Sequence, residues 1–132
     1  MCIFCKIISG EIPSYKIYED ENVYAFLDIA DDIEGHTVVV PKEHCENLLD
    51  VSEETLSKVM LAVRKISKHY VDNCGYDGVN LLNNSGKCAE QSVFHLHIHI
   101  LPRKDNDGKR VYPELVKLNS DMAHLCDKLK LN

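Results

Sequence analysis

The sequence predicts an α+β domain built on a mostly antiparallel sheet with one long helix and short terminal helices. Three observations predict it. Strand-like segments come in the order three, then a long amphipathic helix, then two more. The turns that join neighbouring segments are short and polar, and the 132 residues fit a single domain.

Taken in order, Ile3, Phe4, Ile7 and Ile8 space as a short amphipathic turn over Cys2 to Ile8, which Gly10 and Pro13 stop. Tyr15 to Glu19 and Val23 to Leu27 are rich in β-branched and aromatic residues around Asp20, Glu21 and Asn22, the pattern of a hairpin. A third strand runs from His36 to Val40, closed by Pro41, which has no N–H to give a central ladder. Ser52 is a good N-cap, and Glu53 and Glu54 complement the dipole of the helix that follows. Leu56, Val59, Met60, Val63, Ile66 and Tyr70 make its apolar stripe, and Gly75 stops it. Gly78 to Leu82 and Val93 to Leu101 read as two further strands about the polar turn Asn83, Asn84, Ser85, Gly86. Ser120 caps a last short helix with Met122, Leu125 and Leu129. The motif-bearing part spans residues 2–103, and residues 104–132 form a tail.

Composition narrows the function. With 45% hydrophobic residues the chain can build a core without staples, and 15 basic against 21 acidic residues give a net charge of −6. That balance argues against nucleic acid as a partner, so a phosphate ligand has to be small and held locally. No run approaches a membrane span and no export signal is visible, so the sequence reads as cytoplasmic. Six cysteines in this setting read as free thiols or metal ligands rather than a disulfide framework. Only Cys2 and Cys5 have ligand-like spacing. A redox role for this C-x-x-C requires a thioredoxin-like βαβ unit, and none follows, so a metal is the better reading. Cys45, Cys74, Cys88 and Cys126 are scattered and, like His69 and His124, receive no role.

The chemistry concentrates in Phe94 to Ile100. On a strand, strict alternation puts His95, His97 and His99 on one face and Phe94, Leu96, Ile98 and Ile100 on the other, toward the core. At ~3.3 Å per residue the outer histidines sit ~13 Å apart, too far to share one zinc, although neighbouring pairs remain able to chelate. The other reading is that a neutral imidazole serves as nucleophile or proton carrier.

The string Gln91, Ser92, Val93, Phe94, His95, Leu96, His97, Ile98, His99, Ile100, Leu101, Pro102 resembles the signature of the histidine triad (HIT) family of nucleotidyl hydrolases and transferases, closest to its Hint-like branch. The likeness extends to Phe26, Leu27, Asp28, Ile29, to Gly35, His36, Thr37, to Val40, Pro41, Lys42, Glu43, His44, and to Cys2 through Ile8. It implies a HIT-like fold and a reaction at the α-phosphorus of a nucleoside phosphate. His97 matches the nucleophile, which forms a nucleotidyl-histidine that water resolves, releasing AMP or GMP. Its other ring nitrogen is expected to donate to the His95 carbonyl. His99 and Ser92 match the remaining catalytic positions. His36, Asn84 and Gln91 match groups around the phosphate, and Asp28 matches the acceptor for the ribose hydroxyls. Ile3, Phe4, Ile7, Phe26 and Ile29 match the walls around the base; read without the resemblance, Ile3, Phe4, Ile7 and Phe26 are plain core, and Asp28 and Asn84 are turn residues. Glu90 stands where family members often have Gly, which sets a carboxylate beside the phosphate site.

Zinc-containing members of the family add His44 and His95 to Cys2 and Cys5, a closed structural Cys₂His₂ site. The resemblance and the second, uncovered side of the helix stripe both imply a homodimer pairing through Ser52–Cys74 and Gly78–Leu82. The favoured function is a purine nucleoside phosphoramidase-like hydrolase. The alternatives are a dinucleoside polyphosphate hydrolase and a nucleotide-binding protein with incidental hydrolysis. Lys87, Arg103 and Lys104 are the only cations near the motif in sequence, which favours P–N substrates, although Leu101 to Lys104 also resembles the polyphosphate-cutting branch.

Overall fold

In the computed structural model, which describes residues 1–132, the elements follow the expected order. They are α1 (Ile3–Ile8), β1 (Lys16–Glu19), β2 (Val23–Leu27), β3 (Thr37–Pro41), α2 (Glu53–Asn73), β4 (Gly78–Leu82), a 3₁₀ turn (Lys87–Ala89), β5 (Ile98–Arg103) and α3 (Met122–Leu129). The fold class is the α+β architecture expected. All strand pairs are antiparallel, in the order β1-β2-β3-β5-β4, so β5 inserts between β3 and β4 and leaves β4 as an edge.

The sheet is covered on both faces, which explains why β2 and β3 read as nearly continuous apolar runs. Val23, Ala25, Val39, Ile98 and Ile100 pack against Val59, Ala62, Val63, Ile66 and Tyr70 of α2. The alternate residues Tyr24, Phe26, Val38 and Val40 turn to the opposite face, against Phe4 and Ile7 of α1. The stripe on α2 departs from the expected one in two places: Ala62 faces the core, while Met60 is 39% exposed beside β4. Ser52 caps α2 by accepting from the Thr55 N–H at 3.1 Å, and Gly75 ends it with φ of +82°.

Pro41 does not close β3 from outside; it is the last residue of the strand and fully buried. The ladder to β5 involves only Thr37, Val38 and Val39, so no bond on that side is lost, and the Pro41 carbonyl remains free to accept elsewhere. The Thr37 hydroxyl donates to the Gly35 carbonyl at 2.8 Å and accepts from the Tyr70 hydroxyl at 2.6 Å, which ties the β2–β3 turn to α2. Gly35 has φ of +78°, and a Cβ there would sit 3.1 Å from both Pro102 Cγ and the Tyr76 hydroxyl, so only glycine fits.

After β5 the chain is tied back where the Arg103 guanidinium donates to both oxygens of Asp107 and to Asn80 Oδ1 at 2.7–2.8 Å, and where the Asp105 N–H donates to Asp77 Oδ2 at 2.8 Å. The last helix begins one residue later than expected: Asp121 is its cap, accepting from the His124 N–H at 3.1 Å, and none of its residues is buried. No helix of the chain is long and apolar enough to cross a membrane.

Candidate active site

The strand that carries the histidines is shorter than alternation predicts. β5 begins at Ile98, and residues 93–97 are irregular because Leu96 gives its N–H to the Cys45 carbonyl at 2.8 Å rather than to a ladder. The three rings nevertheless lie on the α1 side of the sheet, where Phe4 meets both His95 and His97 and the His97 and His99 centroids are 4.9 Å apart, whereas Phe94 is 42% exposed instead of core. His95 is fully buried and turns toward α1 and His44, while His97 and His99 turn toward a cavity on the α1 side of the sheet.

His97 is oriented by its own backbone neighbour. Its Nδ1 lies 2.7 Å from the His95 carbonyl, and a carbonyl only accepts, so Nδ1 carries the hydrogen and Nε2 keeps its lone pair. Ser67 Oγ is the one buried side-chain N or O atom without a partner, so His97 Nε2, which has none within the chain, is open to the cavity. Burial is the main force on all three imidazoles. It lowers His95, His97 and His99 from the ordinary 6.5, with His99, which also faces His97 and His36, pushed down to about 4. At neutral pH these rings are uncharged.

The cavity is about 300 Å³ and mostly apolar, with Ile3, Phe4, Ile7, Phe26 and Ile29 among its walls and Asp28, Asn84, Ser92, His97 and His99 around its polar end. Phe4 meets the edge of the His97 ring at a centroid distance of 5.1 Å. Asp28 serves as a turn residue, with Oδ1 accepting from the Ala30 N–H at 2.8 Å, while Oδ2 lies 3.7 Å from His36 Nε2. Asn84 donates to the Glu90 carbonyl at 3.4 Å, and Ser92 is exposed at the rim.

Two expected phosphate-side residues lie elsewhere. Gln91 is buried outside the cavity with its whole amide engaged. Its oxygen accepts from Gly86 N–H and Asn47 Nδ2, and its nitrogen donates to the carbonyls of Glu46 and Val93. It is the bolt that fastens the Ser85–Val93 loop to the segment before α2, with no donor left for a ligand. His36 stands behind His99, its Nε2 2.8 Å from His99 Nδ1 and its Nδ1 2.7 Å from Asp32 Oδ1.

Asp32 and Asn83 carry no functional signal in the sequence, and Glu90 carries only that of a carboxylate beside the phosphate site. Asp32 looks like one of several acids in a solvent turn. Asn83, read only as turn, donates to the His97 carbonyl at 3.0 Å. Glu90 lines the cavity in the left-handed region with φ of 68°, a conformation natural to the Gly it replaces. No Lys or Arg lines the cavity: Arg103 is spent on Asp107, and Lys104 pairs with Glu34.

Beside the cavity, Cys2, Cys5, His44 and His95 bring four donor atoms within 4.8 Å of one another. The separations given by His95 Nδ1 to Cys2 Sγ (3.3 Å), to Cys5 Sγ (3.6 Å) and to His44 Nδ1 (3.1 Å), and by Cys5 Sγ to His44 Nδ1 (3.4 Å), are short for groups of like character. A tetrahedral ion bound at ~2.0–2.1 Å to nitrogen and ~2.3 Å to sulfur spaces its donors roughly 3.3–3.8 Å apart, close to this set. The tautomer fits as well. His95 Nε2 faces the Pro41 carbonyl at 2.8 Å and must donate, which leaves Nδ1 as a lone pair aimed into the cluster. The donor set fits zinc.

A model of the HIT domain matches residues 9–106. Over 102 residues the chain is 53% identical to the protein hit of Bacillus subtilis, covering 77% of this chain and 70% of that one. It is 43% identical over 104 residues to an adenosine 5′-monophosphoramidase of Saccharomyces cerevisiae, covering 79% of this chain and 63% of that protein. Among solved structures, a member of the HIT family from Bacillus subtilis superimposes with a TM-score of 0.83 at 43% identity, covering 97% of this chain and 94% of that one. A Zn-bound histidine triad family protein from Mycobacterium smegmatis gives 0.77 at 41% identity, covering 81% and 78%.

The low-lying imidazoles have a consequence for stability. An unfolded histidine binds its proton near 6.5, and the folded ring binds it only lower, so the unfolded chain holds more protons in between. Stability is therefore full above about 6.5 and is lost as the pH falls toward about 4. Urea denaturation across this range should show it, and the His99 ring should titrate near 4 by NMR.

Proposed function

The chain belongs to the HIT family, and from that premise we propose that it is a nucleotidyl hydrolase cleaving the α-phosphate bond of nucleoside phosphoramidates and related nucleoside monophosphate conjugates, by way of a nucleotidyl-histidine on His97. One observation carries this reading: His97 has one nitrogen committed to the His95 carbonyl and the other free at the polar end of an apolar cavity of nucleoside size. The purine packs among Ile3, Phe4, Ile7, Phe26 and Ile29, and Asp28 accepts from the ribose. His97 Nε2 attacks phosphorus. Asn84 and Ser92 donate to phosphate oxygens, and His99 or Ser92 protonates the departing nitrogen. Water then releases AMP or GMP. The yeast relative named as an adenosine 5′-monophosphoramidase supports the adenylate reading.

The leaving group is best a neutral or cationic amine. A polyphosphate leaves as an anion and needs positive charge, whereas this cavity is lined by Asp28 and Glu90 and by no Lys or Arg. That lining favours the phosphoramidase over a dinucleoside polyphosphate hydrolase.

Zinc on Cys2, Cys5, His44 and His95 is the structural part of the same proposal, supported by the donor spacing and by the Zn-bound relative. When bound it supplies a fixed positive charge that favours the thiolates and anchors the N-terminal segment; burial and the Cys2 neighbour otherwise push the Cys5 thiol up. His95 held on that side presents its carbonyl to His97 Nδ1. Six unpaired cysteines suit a reducing compartment, and we read the chain as cytoplasmic. A second copy covers the groove between α2 and edge strand β4, where Met60, Val71 and Leu81 are about 40% exposed and Ser67 Oγ is buried without a partner.

His97→Ala should lower turnover of an adenosine phosphoramidate by on the order of 1,000-fold or more while AMP binding stays measurable by calorimetry. Near-normal turnover, or kcat/KM favouring a dinucleoside tetraphosphate, would overturn the assignment. Elemental analysis of protein prepared without chelator should find one zinc per chain, and Cys5→Ser should lower the melting temperature more than it lowers turnover. Sedimentation should give a particle of twice 15.0 kDa.

A further inference from the structure

Resting on the nucleotidyl-histidine reading, we infer that Asp32 is a positioning residue whose carboxylate, acting through His36, decides whether His99 offers the cavity a proton or a lone pair. The three groups form one line. Asp32 Oδ1 is pinned by the Ile33 N–H at 2.9 Å and faces His36 Nδ1 at 2.7 Å; His36 Nε2 lies 2.8 Å from His99 Nδ1. His99 Nε2 has no partner in the chain and is not a buried unpaired atom, so the line ends in the cavity beside His97.

Counting protons along this line leaves one variable. A carboxylate only accepts, so His36 Nδ1 carries a hydrogen. With His36 neutral, its Nε2 accepts from His99 Nδ1–H, and His99 Nε2 turns a lone pair to the cavity. With a second proton on His36, Nε2–H donates to His99 Nδ1, and His99 turns an N–H to the cavity while remaining neutral itself. Neutrality of His99 is enforced by its burial and by the facing His97 and His36. A donor for the leaving group is therefore available only when His36 Nε2 presents a hydrogen to His99, and the carboxylate on the other nitrogen of that ring, 2.7 Å away, is Asp32. The hydrogen bond from His36 in turn holds the Asp32 carboxyl below its ordinary range.

The other charges facing this line are few. Asp28 Oδ2, at the end of β2, is 3.7 Å from His36 Nε2 and adds to the same attraction. Lys109 reaches the Asp32 carbonyl at 3.4 Å from the C-terminal segment, and the His97 ring lies 4.9 Å from His99. Asp32 is 60% exposed in its side chain, so solvent moderates its effect without cancelling a direct hydrogen bond.

The proton balance closes over both halves of the reaction. As the His97 Nε2 lone pair bonds to phosphorus, the P–N bond breaks and its electron pair leaves on the amine nitrogen, which takes the proton from His99 Nε2. His99 Nδ1 takes the Nε2 proton of His36, leaving a neutral imidazole on the Asp32 carboxylate. In the second half, water bonds to phosphorus and loses a proton to His99 Nε2, and the His99 Nδ1 proton returns to His36. The pair in the histidine–phosphorus bond goes back to His97 Nε2.

Asp32→Asn keeps an acceptor for His36 Nδ1–H and removes only the charge; Asp32→Glu is the conservative control. Two substrates separate proton delivery from binding: an adenosine phosphoramidate of an alkylamine, whose nitrogen must be protonated, and adenosine 5′-(p-nitrophenyl phosphate), whose phenolate leaves without one. In Asp32→Asn, kcat for the alkylamine should fall roughly tenfold, with KM unchanged. The nitrophenyl ester should be cut as before, and Asp32→Glu should recover part of the loss. Unchanged kinetics on both substrates, or equal losses on both, overturns the inference. If the wild-type protein cleaves neither substrate, the nucleotidyl reading fails while ¹⁵N NMR of His99 still decides the relay. The relay requires Nε2 to lose its hydrogen at a lower pH in Asp32→Asn than in the wild type, and identical ¹⁵N profiles refute it.

Discussion

The constraint on which the site depends is the complete immobilisation of His95. Its Nε2–H is given to the Pro41 carbonyl, its Nδ1 looks into the group of Cys2, Cys5 and His44, and its own carbonyl receives the His97 Nδ1–H. One residue thus transmits the position of β3 and of the N-terminal segment to the nitrogen that faces the cavity. It is buried for that reason, and the backbone around it leaves the β-ladder to make three separate attachments.

The surrounding scaffold serves the same end. A sheet covered by α2 on one face and α1 on the other gives β2 and β3 almost no freedom to slide, because a slip by one residue would exchange the two cores. Gln91 spends every polar atom it has on holding the loop that delivers Ser92 and Asn84 to the cavity rim. Asn83 fixes the far side of His97 through its carbonyl. His97, Ser92 and Asn84 therefore sit on irregular backbone whose freedom has been removed by side chains, while His99 is fixed in β5.

Much of this is legible in the residues. The β2 hairpin, α2 with its Ser52 cap, and the clustering of His97, His99, Asp28 and the apolar walls follow from pattern and resemblance. What escapes has physical causes. Alternation from Phe94 to Ile100 suggests one long strand, yet the Leu96 N–H is claimed by Cys45 from outside the sheet, a long-range competition that no local pattern reports. Gln91 and His36 are visible as polar residues near a phosphate motif, but whether an amide or imidazole faces ligand or scaffold depends on partners 44 to 63 residues away. Asp32 sits in an acidic turn whose composition reads as solvated, and only the folded chain brings His36 against it. The shift of the last cap from Ser120 to Asp121 exchanges one good capping residue for its neighbour.

The six-residue helix α1 and its N-cap Cys2 carry two unrelated-looking sets of side chains. Ile3, Phe4 and Ile7 wall the cavity, and Cys2 and Cys5 supply half of the donor cluster. A helix this short cannot hold its shape alone, so the entropy of ordering it has to be met by whatever it touches. Both sets draw on that single ordering cost. Under the proposed function, a base stacked in the cavity and a cation seated among the thiols would each relieve the other of part of it, coupling the two binding events without any change of shape between them. The N-terminal turn would in this sense be a thermodynamic hinge pin, and nucleotide affinity would report metal content.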